Sequence, residues 1–143
     1  MVNSFQEERQ AIETRFNNCF DNSIVPVQYD NVSFLKHGDH VLKDSSKANE
    51  WVRLSIIGAD SVMQEVGSKR TRFTGLIVCN VFVRENTGSN RARSIADELY
   101  NVFNGVNFNG IQCYATTITQ TPPNAGWFQM TLETEYYWDR CPC

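Results

Sequence analysis

The sequence predicts an α+β domain, with a mainly antiparallel sheet of four or five strands, two helices packed on one face, and the element order α-β-β-β-α-β-β. Three stretches carry this. Arg72 to Glu85, RFTGLIVCNVFVRE, is apolar and β-rich from Leu76 to Val83 except at Asn80, which predicts a central strand with both faces covered. After a break at Asn86-Thr87-Gly88 the period changes. From Ser89 on, Ala92, Ile95, Ala96, Leu99, Val102 and Phe103 fall at spacings of three and four, forming one apolar stripe of a helix, and Gly105 stands where such a helix stops. Trp127 to Trp138 alternates, with Phe128, Met130, Leu132, Tyr136 and Trp138 on one face and Gln129, Thr131, Glu133, Glu135 and Tyr137 on the other, as a strand with one buried and one wetter face requires. A central strand feeding a helix that folds back on it nucleates a two-layer domain.

The remaining elements follow in chain order. Ser4-Phe5-Gln6-Glu7 matches a capping box, with Ser4 as cap and Glu7 reaching back, and Phe5, Ile12, Phe16, Cys19 and Phe20 repeat at helical spacing, so a helix is expected from Phe5 to Phe20. Ile24 to Tyr29 is β-rich but contains Pro26, which confines it to an edge strand or strand start. Lys36 to Glu50 is polar and reads as a solvated loop. Trp51 to Ile57 alternates as a strand and is expected to pair with Arg72–Glu85 in a long hairpin. The connection, Ala59 to Lys69, is read as a loop longer than hairpins normally use, a length that favours a functional role. Gly110 to Thr119 is a further strand, rich in threonine. Gln120 to Gly126, QTPPNAG, has the prolines and turn residues of a loop joining it to the last strand.

The 143 residues fit a single domain and can bury a core without staples; 41% hydrophobic and 20% charged residues are globular values. A net charge of -3 offers no overall basic character for nucleic acid or an anionic membrane, and no apolar run approaches a membrane span. The opening MVNSFQEERQ has early acids and no apolar signal core, which predicts synthesis in the cytoplasm. Cys19, Cys79 and Cys113 are expected to be small buried apolar residues. Cys141-Pro142-Cys143 and the pair His37 and His40 do not have the spacing of a zinc site, and a solvated tail and loop are expected instead.

No phosphate-binding, zinc-protease or nucleophile-elbow motif is present. Gly105-Val-Asn-Phe-Asn-Gly110 follows a helix rather than a strand, so it implies no phosphate cradle. Cys79 sits among apolar residues that disfavour a thiolate. Glu133 and Glu135 share a strand face and could do acid-base work, but a solvated face, or pairing with Arg72 and Arg84 on another strand, fits them better. Arg70, Arg72, Arg91 and Arg93 with Lys69 could make a basic patch. However, the aromatics that a single-strand groove would interleave with these bases fall on predicted core faces. Cations at a helix N-terminus oppose its dipole, so Arg91 and Arg93 are expected to be held by a partner's acids. No catalytic residue, cofactor or metal is predicted, and a role in assembly leads. A small-ligand or nucleic-acid binding domain is the rival from another class.

The order of AIETRF, VPVQYDNVSF, WVRLSI, RFTGLIVCNVFV, RARSIADELYNVF, GIQCYATTITQ and GWFQMTLETEYYW resembles the tail-terminator family of long-tailed bacteriophages, over most of the chain. The match lies in order, length and apolar pattern. The resemblance implies a non-enzymatic structural virion protein of the tail and neck. Its subunits would form a ring, typically a hexamer, that caps the tail tube, stops its polymerisation and presents a docking face to the head connector. Genomic DNA would pass through the lumen without specific binding. A neck adaptor at the head-tail junction or a tube subunit is the alternative within the same setting. Candidate interface residues, chosen from predicted exposure, are Arg72, Arg84, Glu133 and Glu135 on strand faces, Arg91 and Arg93 at the second helix, and Glu65 and Lys69 in the first loop. Gln120 to Gly126 is a further candidate contact.

Overall fold

The computed structural model describes residues 1–20, 25, 27–31, 50–124 and 126–141, with the backbone only at 123 and 124. Helix α1 spans Phe5–Cys19. It begins as the capping box predicts: Ser4 Oγ accepts the Glu7 amide at 3.1 Å and donates to the Glu7 carboxylate at 3.0 Å. Its buried face is Ala11, Ile12 and Phe16. Cys19 is exposed, against expectation, because the buried face runs through Phe16 to Phe20 and leaves Cys19 on the outer side. Helix α2 spans Asn90–Phe103 and buries the whole predicted stripe. Arg15 of α1 donates Nε to the Val102 carbonyl at 2.6 Å, tying the helices together.

The strands are β1 (Val27–Gln28), β2 (Glu50–Met63), β3 (Thr71–Arg84), β4 (Asn107–Phe108), β5 (Ile111–Asn124) and β6 (Trp127–Arg140). They form one six-stranded sheet in the order β1-β2-β3-β6-β5-β4. Both helices contribute to a single cluster against one face, where Ile12, Phe16, Leu54, Ile77, Val81, Ile95, Leu99, Leu132, Tyr136 and Trp138 meet.

The expected α+β class, the two hairpins and the helices on one face are present, with differences of detail. The sheet is mainly antiparallel but has six strands rather than four or five and one parallel pair, β1 with β2 through Val27↔Val52 and Gln28↔Arg53. The sixth strand, β4, pairs with β5 across Asn109-Gly110, both with positive φ of 49° and 87°. Asn-Gly in the left-handed region is a standard two-residue hairpin turn, a signal already present in the sequence.

Strand extends into both predicted loops, over Ala59 to Met63 and Gln120 to Asn124. β2 continues through Met63 after a register shift between Gly58 and Asp60, leaving a short tip closed by the Gln64 amide on the Arg70 carbonyl at 2.7 Å. β5 continues to Asn124, with Pro122 and Pro123 inside a register break between Thr121 and Asn124. Prolines are tolerated there because this part of β5 is a sheet edge, where a missing donor breaks no ladder. β3 is central as expected, but the described helices cover only one of its faces. His37, His40, the Lys36–Glu50 loop short of Glu50, Pro142 and Cys143 lie outside the described residues.

Candidate assembly surface

Strand alternation assigns two roles to the sheet. Odd positions of β3 such as Ile77, Cys79 and Val81 point to the helices. Even positions, with their register partners on β2, β6 and β5, make the opposite face. Across that face run Trp51, Phe82, Gln129 and Thr121; then Arg53, Asn80, Thr131 and Thr119; then Ser55, Val78, Glu133 and Thr117. No described helix lies over it. Asn80 Oδ1 accepts from Thr131 Oγ1 at 2.8 Å and Gln129 Nε2 at 3.1 Å, so its polar middle is internally bonded.

One end of this face is an aromatic and arginine cluster. Trp51 stacks on Phe82 with centroids 3.9 Å apart and meets Trp127 edge-on at 6.1 Å. The Arg84 guanidinium lies 4.1 Å over the Trp127 ring, and Arg53 lies 5.4 Å over both Trp51 and Phe82. Arg84 Nε and Nη2 are buried with no hydrogen-bond partner among the described residues. Such a group is costly to bury without an acceptor.

The other end is an ion-pair network. Arg72 forks onto Asp139 at 2.8 and 3.0 Å, and Arg70 reaches the same carboxylate at 2.5 Å. The hydrogen bond from Arg72, supported by Arg70, holds the Asp139 carboxyl below its ordinary range. Arg72 also lies 4.1 Å over the Tyr137 ring.

Glu133 and Glu135 are exposed, facing Val78 and Leu76 across β3. The expected pairing with Arg72 and Arg84 within the sheet does not occur, because the register sets Arg72 opposite Asp139 and Arg84 opposite Trp127. Arg91 is not left for a partner's acids: Nε and Nη2 fork onto Glu50 of the same chain, both at 2.7 Å. Arg93 is exposed on the same turn. At the β2–β3 tip, Glu65 accepts Ser68 Oγ at 2.6 Å and lies 3.8 Å from Arg70. Lys69 takes a left-handed φ of 57° and is exposed. The tip is also apolar: Val62 and Met63 are half-exposed and Val66 is 86% exposed. Sequence reasoning missed the Trp51–Phe82–Trp127 cluster, since alternation alone does not say which face the helices take.

Burial pushes the Cys79 and Cys113 thiols up to about 12, so both are neutral small residues. The hollow beside Glu135, about 440 Å³, is lined by Ala59, Thr74, Leu76 and Tyr114, with Glu135 its only carboxylate. Among the described residues no group of side chains could hold a metal ion, and no helix is long and apolar enough to cross a membrane.

The family model described as "Phage tail terminator protein" matches residues 9–136. The chain belongs to the phage tail terminator family. Membership gives it a structural role in the virion tail. The match runs from α1 to near the end of β6, so it takes in both helices and the open sheet face. No curated protein matches. A solved structure known only by a serial label superposes with a TM-score of 0.70 over 98% of this chain and 99% of that one, at 17% identity. At that identity it shows a shared fold.

Proposed function

We propose that this terminator forms a ring, six subunits by resemblance, that caps the tail tube, ends its polymerisation and presents the head connector with its docking face. It is structural and non-catalytic, is made in the host cytoplasm, and lets genomic DNA through its lumen without specific binding. Family membership supports this reading. The observation that carries it is Arg84, whose buried guanidinium nitrogens lack an acceptor on a sheet face that no described helix covers. The rest of the Arg84 side chain is only partly buried, so a neighbouring subunit or tail protein can approach it from the open face. The exposed Glu133 and Glu135, unpaired with the arginines of their own sheet, are the corresponding acceptors for a neighbour's cations. A net charge of -3 suits a passage for DNA, which a strongly basic lumen would retain.

Mass photometry of the purified protein, alone and with purified tail tubes, tests the proposal. The expected result is one discrete ring, free or at tube ends. A protein that stays monomeric and ignores tubes overturns it. Long tubes grown from this chain alone would mark a tube subunit instead.

A further inference from the structure

Residues Leu99 to Leu132 contain no Asp, Glu, Lys, Arg or His, in a chain that is 20% charged overall. β5 lies inside this stretch. Its inner side pairs with β6, but its outer side meets β4 only at Ile111 and Gln112. The Thr116 amide is turned outward, donating to Asn104 Oδ1 at 2.9 Å. Strand backbone groups alternate with a period of two, and the register is continuous from Thr116 to Thr121, so the amides and carbonyls of Ile118 and Gln120 also point outward. No described residue pairs with them. Ile118 is 39% exposed. Exposed edges are normally blunted by charge, proline or a bulge. Here the bulge precedes Thr116 and the prolines follow Thr121, leaving the segment between them in continuous register, rich in β-branched residues and uncharged.

The opposite end of the sheet has a second edge of the same kind. β1 covers β2 only at Val52 and Arg53, and the Ile56 amide is capped by Asp30 at 2.9 Å. Beyond that point Gly58 to Met63 has no described outer partner. It carries one charge, Asp60, and exposes Val62 and Met63, with the exposed Ile57 just before it.

We propose that the β5 edge, Thr116 to Thr121, receives the β2 edge, Gly58 to Met63, of a second copy of this chain by main-chain pairing. This rests on the ring reading and names the contact that would build it. The two edges are different and lie at opposite ends of one sheet. Their pairing is therefore head-to-tail, which builds a ring where the rotation between copies closes, and not a two-fold dimer. Both segments are of similar length and nearly free of charge, and Ile118 and Met63 lie on the helix side of the sheet, opposite Leu132 and Thr71, so strand addition can bury them together.

Gln120→Pro tests this directly. It removes an outward amide that no described residue uses and leaves the β5–β6 ladder intact. A folded variant by circular dichroism whose ring formation weakens about tenfold or more is expected. Rings of undiminished affinity from the folded variant overturn the edge contact while leaving the ring reading standing. Wild-type protein that forms no ring, with or without tubes, overturns both. Hydrogen exchange on the wild-type ring decides the matter even if the variant fails to fold. The Ile118 and Gln120 amides should be protected in the ring and exchange freely in dilute monomer, and free exchange in the ring overturns the contact.

Discussion

At the scale of single residues, the tightest constraint is a glycine under a tyrosine. Gly75 of β3 faces Tyr136 of β6, and a Cβ on Gly75 would sit 2.5 Å from the Tyr136 hydroxyl oxygen and 2.6 Å from its ring. The tyrosine crosses its neighbour strand there because its hydroxyl donates to Glu8 of α1 at 2.8 Å, a carboxylate that also accepts Trp138 Nε1 at 2.6 Å. Burial, with Glu8 beside it, raises the hydroxyl well above its ordinary range, so it stays a donor. Gly75→Ala is expected to destabilise the subunit by about 1–3 kcal/mol through overpacking. Gly58→Ala, where nothing lies within 4 Å of the added carbon, should change stability by no more than about 0.5 kcal/mol. Urea denaturation of the two variants checks the contrast. The sequence shows Gly75 only as an interruption in an apolar strand. The crossing depends on register, which no local pattern contains.

At the scale of elements, the β3–β6 pair is closed at one end by charge. Asp139 binds Arg72 and Arg70, and its folded-state pKa lies below the unfolded one. Its stabilising contribution is therefore full above the unfolded value of about 4 and is lost as the pH falls through the folded value. Asp139→Asn removes it. The stability gap between wild type and this variant should be flat above about pH 5 and close on acidification below about pH 4. Thermal melts across that range measure it, and a gap that persists at low pH would show that Asp139 acts through shape rather than charge. Chemically similar residues elsewhere behave differently because of register: Glu133 and Glu135 face apolar partners and stay exposed.

At the scale of the whole molecule, the two helix-start arginines separate. Arg91 is engaged with Glu50, whereas Arg93 is free of any described ion pair. Arg91→Glu should lower subunit stability by up to about 1 kcal/mol, the range of a half-exposed pair. Arg93→Glu should leave the fold unchanged, since an acid suits the first turn of a helix, yet weaken assembly. Denaturation together with mass photometry separates the two effects, and intact rings from Arg93→Glu would show that this residue is solvated surface only.

The sequence by itself determined the fold class, both helices with the whole buried stripe of α2, the central place of β3, and the buried face of β6. These follow from the periods of 3.6 and 2, which local chain geometry imposes. It also carried the family pattern, which the match over residues 9–136 bears out. Tertiary structure alone decided the rest. It extended β2 and β5 through stretches that look like loops, because a long neighbouring strand offers ladder partners that local propensity does not count. It chose which face the helices cover, which charges pair, and which edges stay open, because each depends on the register between strands distant in sequence.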